Sequence, residues 1–309
     1  METIIILCPS HDINDKRINR INKVLSKKYK TLLFYEQSYK LNNKDEANVF
    51  FVKNKFDYFS TKSIILNQNI NSQFSLYVHD SGIFGVLLCW WWSKNNKVNS
   101  ITFDYHDWIP WEISYQIRKI TKSKKLIKFS SKLINLFLKR LLKAARITNL
   151  VGISLNQIHH FKNHFNLSNT RDLIIPNTRK KIFTKKSINN NEFDGVLWIG
   201  NVMKGRDLDI LSNYLKDYNE KKNTDFYLFI IGNIFDKDYF KSLELQEHII
   251  YLNSYRNDID ILKKIQNYNV AGFFYGWDDI YDTEINMIAS PNKAYSYINL
   301  GIPTIMGNH

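Results

Sequence analysis

At 309 residues the chain has material for two packed domains, and 44% hydrophobic and 15% aromatic residues exclude a disordered chain. A formal net charge of +14 points to anionic partners, whether nucleic acid, anionic lipid or phosphorylated small molecules, without choosing among them. Cys8 and Cys89 are the only cysteines and form no CxxC pair, which argues against a disulfide framework or a cysteine zinc site and fits a reducing cytoplasm.

The first apolar run, Ile4 to Leu7, follows an acidic residue and is too short for a signal peptide, so it reads as a buried strand. After it comes a polar loop, Pro9 to Asn14, that leads into a helix carrying Ile18, Ile21, Val24 and Leu25 at helical spacing. His11, Asp15 and Arg17 fall at this junction. Loop amides, a helix N-terminus and a guanidinium suit an anionic group, while Asp15 serves equally as an ordinary helix cap.

Further strands are predicted over Thr31–Tyr35, Phe74–Val78, Ile101–Phe103 and Ile147–Val151, the rhythm of βα units feeding a mostly parallel sheet. The longest apolar stretch, Ile83 to Trp92, has ten residues, half of the about 20 that a membrane span needs. Any membrane contact is therefore expected to be peripheral. Directly after the Ile101–Phe103 strand stand Asp104, His106, Asp107 and Trp108. Indole faces stack on sugar C–H surfaces while carboxylate and imidazole bond hydroxyls; the competing reading is a buried histidine amid aromatic core.

From Gln116 to Arg146 there are eleven Lys or Arg residues and no Asp or Glu, interleaved with apolar residues at an approximate helical period. Such a segment suits an anionic membrane surface, or it is a solvated basic face on a core helix. A polar stretch, Pro176 to Glu192, then interrupts the pattern. Beyond it strands are predicted over Val196–Ile199, Phe226–Ile231, Ile249–Leu252, Val270–Tyr275 and Thr304–Met306, with helices over Leu208–Tyr218 and Ile259–Ile265. The fold class expected is α/β, two Rossmann-like doubly wound domains over 1–180 and 193–309 joined by a linker, 181–192, with ligands at the C-terminal ends of strands.

In the second half Gly200, Lys204 and Arg206 lie between a strand and a helix, and Gly232 ends another strand. Glycine lets backbone approach a phosphate, and the cations neutralise it. Asn292 and Lys293 begin a helix after Ser290-Pro291, where the plain reading is capping.

In this order the motifs resemble glycosyltransferase family 4 and its relatives of the GT-B fold. Asp15-Lys16-Arg17-Ile18 is similar to that family's D-x-R-[IV] helix start. Val78-His79-Asp80 and Phe103-Asp104-Tyr105-His106-Asp107 resemble its H-D and Y-D-x-H-E elements. Val151-Gly152-Ile153-Ser154 with Ile174-Ile175-Pro176-Asn177, Gly200 to Gly205, Ser290-Pro291-Asn292-Lys293 and Gly301-Ile302-Pro303 resemble its later signatures.

The resemblance implies two domains facing a cleft and a bacterial surface-polysaccharide (capsule or lipopolysaccharide) enzyme. It would transfer a sugar with retention from a UDP- or GDP-linked donor to a glycan or lipid-linked acceptor. It further implies no metal and no cofactor, and a peripheral position on the inner face of the plasma membrane. On it, His106 and Asp107 are the catalytic candidates. Gly200, Lys204, Arg206, Gly232, Asn292, Lys293 and Ser296 are expected to bind the donor, and His11, Asp15, Arg17, Asp104 and Trp108 the acceptor. Ser296 stands where the family has the second glutamate of its E-x7-E pattern, with Ile288 eight residues earlier, and the C-terminal domain reads as shortened. The alternative is a catalytically inactive GT-B-like protein that binds glycan or partner enzymes. No helix-turn-helix, RNA-recognition or zinc pattern supports a nucleic-acid partner.

Overall fold

The computed structural model describes residues 2–9, 11, 13, 15–36, 48–60, 72–80, 82–105, 109, 113, 117, 120–121, 123–176, 193–204, 206, 208–255, 258–274 and 292–306. The chain forms two compact units, Met1–Pro176 and Asn177–His309.

In the first unit β1 (Thr3–Cys8), β2 (Lys30–Glu36), β3 (Val49–Val52), β4 (Phe74–His79), β5 (Val98–Asp104), β6 (Asn149–Gly152) and β7 (Arg171–Ile174) form one sheet in the order β3-β2-β1-β4-β5-β6-β7. All its pairings are parallel. Every residue of β1 is buried, as a central strand covered on both faces requires. Strands β3 and β7, absent from the sequence-based expectation, are the two edges, and Leu173 and Ile174 of β7 are exposed.

Helix α1 (Lys16–Leu25) starts where Asp15 accepts from the backbone N–H groups of Arg17 and Ile18. It buries Ile18 and Ile21 but leaves Val24 exposed. Helix α2 (Ile83–Trp92) is the long apolar run. It buries Val86, Leu88, Cys89 and Trp92, and the Trp92 indole N–H donates to Tyr58 O at 2.9 Å, which satisfies its one polar atom. A Cβ at Gly85 would lie 2.4 Å from Asp80 O, so a glycine is needed where α2 presses on the turn after β4. Helix α3 (Lys124–Ala144) forms within the basic segment, capped by Ser123, and buries Leu138, Leu141 and Leu142. Helix α4 (Leu155–Phe165) follows β6, with Ser154 as its cap.

The second unit holds β8 (Gly195–Ile199), β9 (Tyr227–Ile231), β10 (Ile249–Tyr251), β11 (Val270–Phe274) and β12 (Thr304–Met306), all parallel, in the order β10-β9-β8-β11-β12. Its helices are α5 (Leu208–Lys222), α6 (Lys237–Glu244), α7 (Asp258–Ile265) and α8 (Asn292–Leu300). Alternate strand residues feed separate clusters. Leu197, Ile199, Phe229 and Ile231 pack with α7 and α8, and Val196, Trp198, Leu228 and Ile230 pack with Leu208, Phe240 and Leu243 from α5 and α6. That alternation is the mark of a doubly wound sheet.

Tyr297 of α8 ties the middle of this sheet together. Its ring occupies the space a Cβ on Gly272 would need, 2.5 Å away. Its hydroxyl donates toward Leu197 O (2.7 Å) or Phe273 O (3.0 Å) and accepts from Ile199 N (3.0 Å). Burial pushes the Tyr297 phenol far above its ordinary range, so it stays a neutral donor.

Candidate functional site

In an open parallel sheet the crevice for a ligand lies beyond the C-terminal ends of strands where the order reverses. In the first sheet β2 lies on one side of β1 and β4 on the other, so the reversal falls between β1 and β4. Strand β1 runs into the loop bearing His11 and then into the start of α1, with Asp15 as cap and Arg17 in its first turn; β4 ends at His79; and β5 ends at Asp104, whose register partner is His79. Residues as far as 93 positions apart in the chain are thereby gathered at the C-terminal end of the sheet.

Asp104 is their centre. It is 0% exposed and accepts a two-pronged bond from Arg17, Nε to Oδ2 at 3.1 Å and Nη2 to Oδ1 at 2.8 Å. Tyr77 Oη donates to Oδ2 at 2.7 Å, and His79 Nδ1 lies 2.7 Å from the same oxygen. Burial would raise the Asp104 carboxyl, but the charge and hydrogen bond of His79 and then the Arg17 guanidinium outweigh it and hold the group well below the usual carboxylate range. An ionised carboxylate only accepts, so His79 Nδ1 carries the proton and donates. The orientation of that ring is fixed in consequence. Burial opposes the Arg17 charge, yet the Asp104 bond raises its affinity for the proton overall. Burial and Asp104 together push the Tyr77 phenol upward.

A second pair sits against the first. His11 Nδ1 is 3.1 Å from Asp15 Oδ2, and the His11 and His79 rings lie 4.3 Å apart between centroids, tilted by 55°. Asp15 spends its other oxygen on the cap, accepting from Arg17 N at 2.8 Å and Ile18 N at 3.1 Å. Although burial raises its pKa, the His11 bond and the Ile18 amide bring it below the ordinary carboxylate value. Arg17 Nη1 also donates to Ile175 O, which ties the start of α1 to the segment after β7. Next to His79, Asp80 accepts from Gly82 N at 2.8 Å, and burial raises its pKa.

Of the residues expected on the acceptor side, His11, Asp15, Arg17 and Asp104 come together. Asp104 shows no surface to a ligand and acts by fixing Arg17 and His79, while His11 and Asp15 are partly exposed. His79 and Tyr77 were not singled out as site residues. The available signal was the Val78-His79-Asp80 motif at the end of a strand. His106, Asp107 and Trp108 lie outside the described residues. Among the described residues His11, Asp15 and His79 form a group with ligand atoms within 4.8 Å of one another, close enough to hold a metal ion. A cation there would take the Asp15 oxygen that faces His11 and so displace the His11–Asp15 bond, leaving the oxygen that caps α1 in place.

In the second sheet the reversal falls between β8 and β11. At the end of β8 Gly200 takes φ +145, a conformation open to glycine. A Cβ on Gly232 would lie 1.9 Å from Gly200 O, so the loops after β8 and β9 are in backbone contact. They continue side by side through Val202 N to Asn233 O at 2.8 Å and a bridge between Val202 and Ile234. Lys204 is exposed and Arg206 half-buried on the way to α5. Asn292 and Lys293 fall in the first turn of α8, their side chains outside the described residues. Ser296 of the same helix is 1% exposed, on its buried side with Tyr297.

No family model matches the chain, and no curated protein matches it in sequence. Solved structures do match in shape. The E. coli trehalose-6-phosphate protein bound with UDP-2-fluoro glucose superposes with a TM-score of 0.56 at 11% identity, over 99% of this chain and 84% of that one. The fold is that of the GT-B glycosyltransferases. The OtsA apo structure matches equally, with a TM-score of 0.56 at 10% identity over 99% and 84% of the two chains. The Anabaena protein HepE in complex with UDP and glucose gives 0.51 at 9% identity over 97% and 89%.

Proposed function

We propose that the chain is a glycosyltransferase that moves a sugar from a UDP- or GDP-linked donor, with retention, to a cell-surface glycan acceptor carried on lipid. The observation that carries this reading is the match of nearly the whole chain to GT-B structures, two of them holding UDP-2-fluoro glucose or UDP with glucose. The polar edges of the two sheets agree with it.

On this reading the paired glycine loops at Gly200 and Gly232 let the donor diphosphate come close to the main chain, and Lys204, Arg206, Asn292 and Lys293 supply polar and cationic side chains. The transition state is oxocarbenium-like, as in glycoside cleavage. Stabilising the departing diphosphate is then the main electrostatic task. His11, Asp15 and Arg17, held by Asp104, receive acceptor hydroxyls, and His106 and Asp107 meet the transferred sugar. These assignments need no metal.

The test is a mass-spectrometric screen in which the purified chain is incubated with a panel of UDP- and GDP-sugars and release of nucleoside diphosphate is followed. One donor should be consumed, and His106→Ala should slow its turnover on the order of a hundredfold with an unchanged melting temperature. No turnover of any donor would refute the reading, and full activity in His106→Ala would remove that residue from the chemistry.

A further inference from the structure

Helix α3 has two outward stripes that the interior does not explain. Its core side carries Leu138, Leu141 and Leu142, all buried. On the outer side Leu126 is 50% exposed, Phe129 61%, Leu133 52%, Leu136 50% and Phe137 53%. Their spacing, three or four residues at a step with one adjacent pair, places all five on one face of a 3.6-residue helix. Exposed large apolar side chains occur singly on most surfaces, but five contiguous ones on one helix face mark a contact surface.

Beside this row runs a second. Lys125, Lys128, Lys132 and Lys143 are exposed and at the same helical spacing fall along one flank of the apolar row, between it and the inward side. Arg140, also exposed, falls within the apolar row itself. No Asp or Glu occurs anywhere between residues 113 and 171, so neither α3 nor the chain leading into and out of it offers acids to neutralise these cations. A protein partner would have to present an apolar groove bordered by acids. An anionic bilayer presents both chemistries at once and without fixed geometry, acyl chains for the phenylalanines and leucines and headgroup phosphates for the lysines.

We propose that the outer face of α3 docks the first unit on an anionic lipid bilayer, the helix lying in the headgroup plane with Leu126, Phe129, Leu133, Leu136 and Phe137 inserted and the lysine row along the phosphates. No helix among the described residues is long and apolar enough to cross a membrane, so the contact is peripheral. Serine, rather than acid, replaces the apolar residues in the test because these side chains are already exposed and their loss leaves the core intact. The inference stands apart from sugar transfer, since lipid binding is read without any donor or acceptor.

Vesicle flotation of the full chain tests it, using phosphatidylcholine vesicles with and without about one-third phosphatidylglycerol. The parent should float with the anionic vesicles and not with pure phosphatidylcholine. Replacing three lysines (Lys125→Glu, Lys128→Glu, Lys132→Glu) should weaken partitioning at least about tenfold, because each cation near an anionic leaflet contributes several-fold. Replacing three apolar residues (Phe129→Ser, Leu133→Ser, Phe137→Ser) should weaken it comparably, with thermal unfolding of both variants matching the parent. Equal flotation with both vesicle types, none with either, or unchanged binding by both variants would overturn the proposal. So would sedimentation showing that the apolar face closes a dimer which only the serine variant dissociates.

Discussion

The two units use the same parallel α/β plan and a reversal of strand order in each sheet, yet they furnish that edge with different chemistry. The first builds it from side chains: Asp104 is buried and holds Arg17, Tyr77 and His79 in fixed positions. The second builds it from backbone: Gly200 and Gly232 bring two loops into direct contact, and the Tyr297 hydroxyl braces β8 and β11. A carboxylate–guanidinium–imidazole set can orient hydroxyls and manage protons. Two glycine loops packed backbone to backbone, without side-chain bulk, leave room for a phosphate to come close to the main chain. The two sheets thus end in edges of opposite character, and each can be perturbed by itself.

The largest effect is expected at Asp104. Asp104→Asn leaves Arg17 buried without its anion, a loss of about 3–5 kcal/mol for a broken buried pair, read by urea unfolding. The pH dependence sharpens the point. Because the folded carboxyl is held well below its unfolded value, its contribution is complete above about pH 4 and is lost as pH falls toward the folded value. Parent stability should therefore decline on acidification below about pH 4, and the Asn variant should show a shallower decline. An equally steep acid limb in Asp104→Asn would mean that other carboxylates, Asp15 first among them, carry the effect.

Next comes Gly232→Ala. Its Cβ would overlap Gly200 O, so the loops must separate, at about 1–3 kcal/mol for an overpacked contact. The more telling readout is nucleotide affinity, which should fall in this variant and remain near the parent value in Asp104→Asn wherever the latter is folded. A smaller change, about 1–2 kcal/mol, is expected for Tyr297→Phe, which strips the hydroxyl from buried Leu197 O and Phe273 O. Smallest is His11→Ala, since the His11–Asp15 pair is partly exposed and such pairs contribute about 1 kcal/mol or less. A large loss of stability there would show that His11 supports the fold rather than a ligand.

The same contrast explains what could be read from the sequence. Buried central strands such as Ile4–Leu7 and Val196–Ile199 announce themselves as apolar runs, and the Asp15 cap at α1 is a local signal that the structure places where the residues suggested. Edge strands β3 and β7 were not anticipated because they are short and half solvated: Arg171-Asp172-Leu173-Ile174 has no pattern that separates it from a loop. Helix α2 escaped for the opposite reason. It is apolar on nearly every side, so it shows length but no period. At the site, Arg17 and Asp104 were each marked by resemblance, but a bond across 87 positions leaves no local trace. Tyr77 and His79 join it only because β4 lies between β1 and β5. The Gly200–Gly232 contact is likewise a property of neighbouring strands, not of either turn.

The division into a side-chain edge and a backbone edge, with the nucleotide on the latter, is tested most directly by calorimetric titration of UDP and of GDP into the parent, Lys204→Ala and Gly232→Ala. One of the two nucleotides should bind the parent, and losing the Lys204 charge should weaken it by about 1.5–3 kcal/mol, the range for a hydrogen bond to a charged group. Gly232→Ala should weaken it as well, with the first unit unaffected as judged by the acid limb of its unfolding. Binding of neither nucleotide by the parent, or binding that neither substitution alters, would contradict a donor site at the Gly200–Gly232 edge.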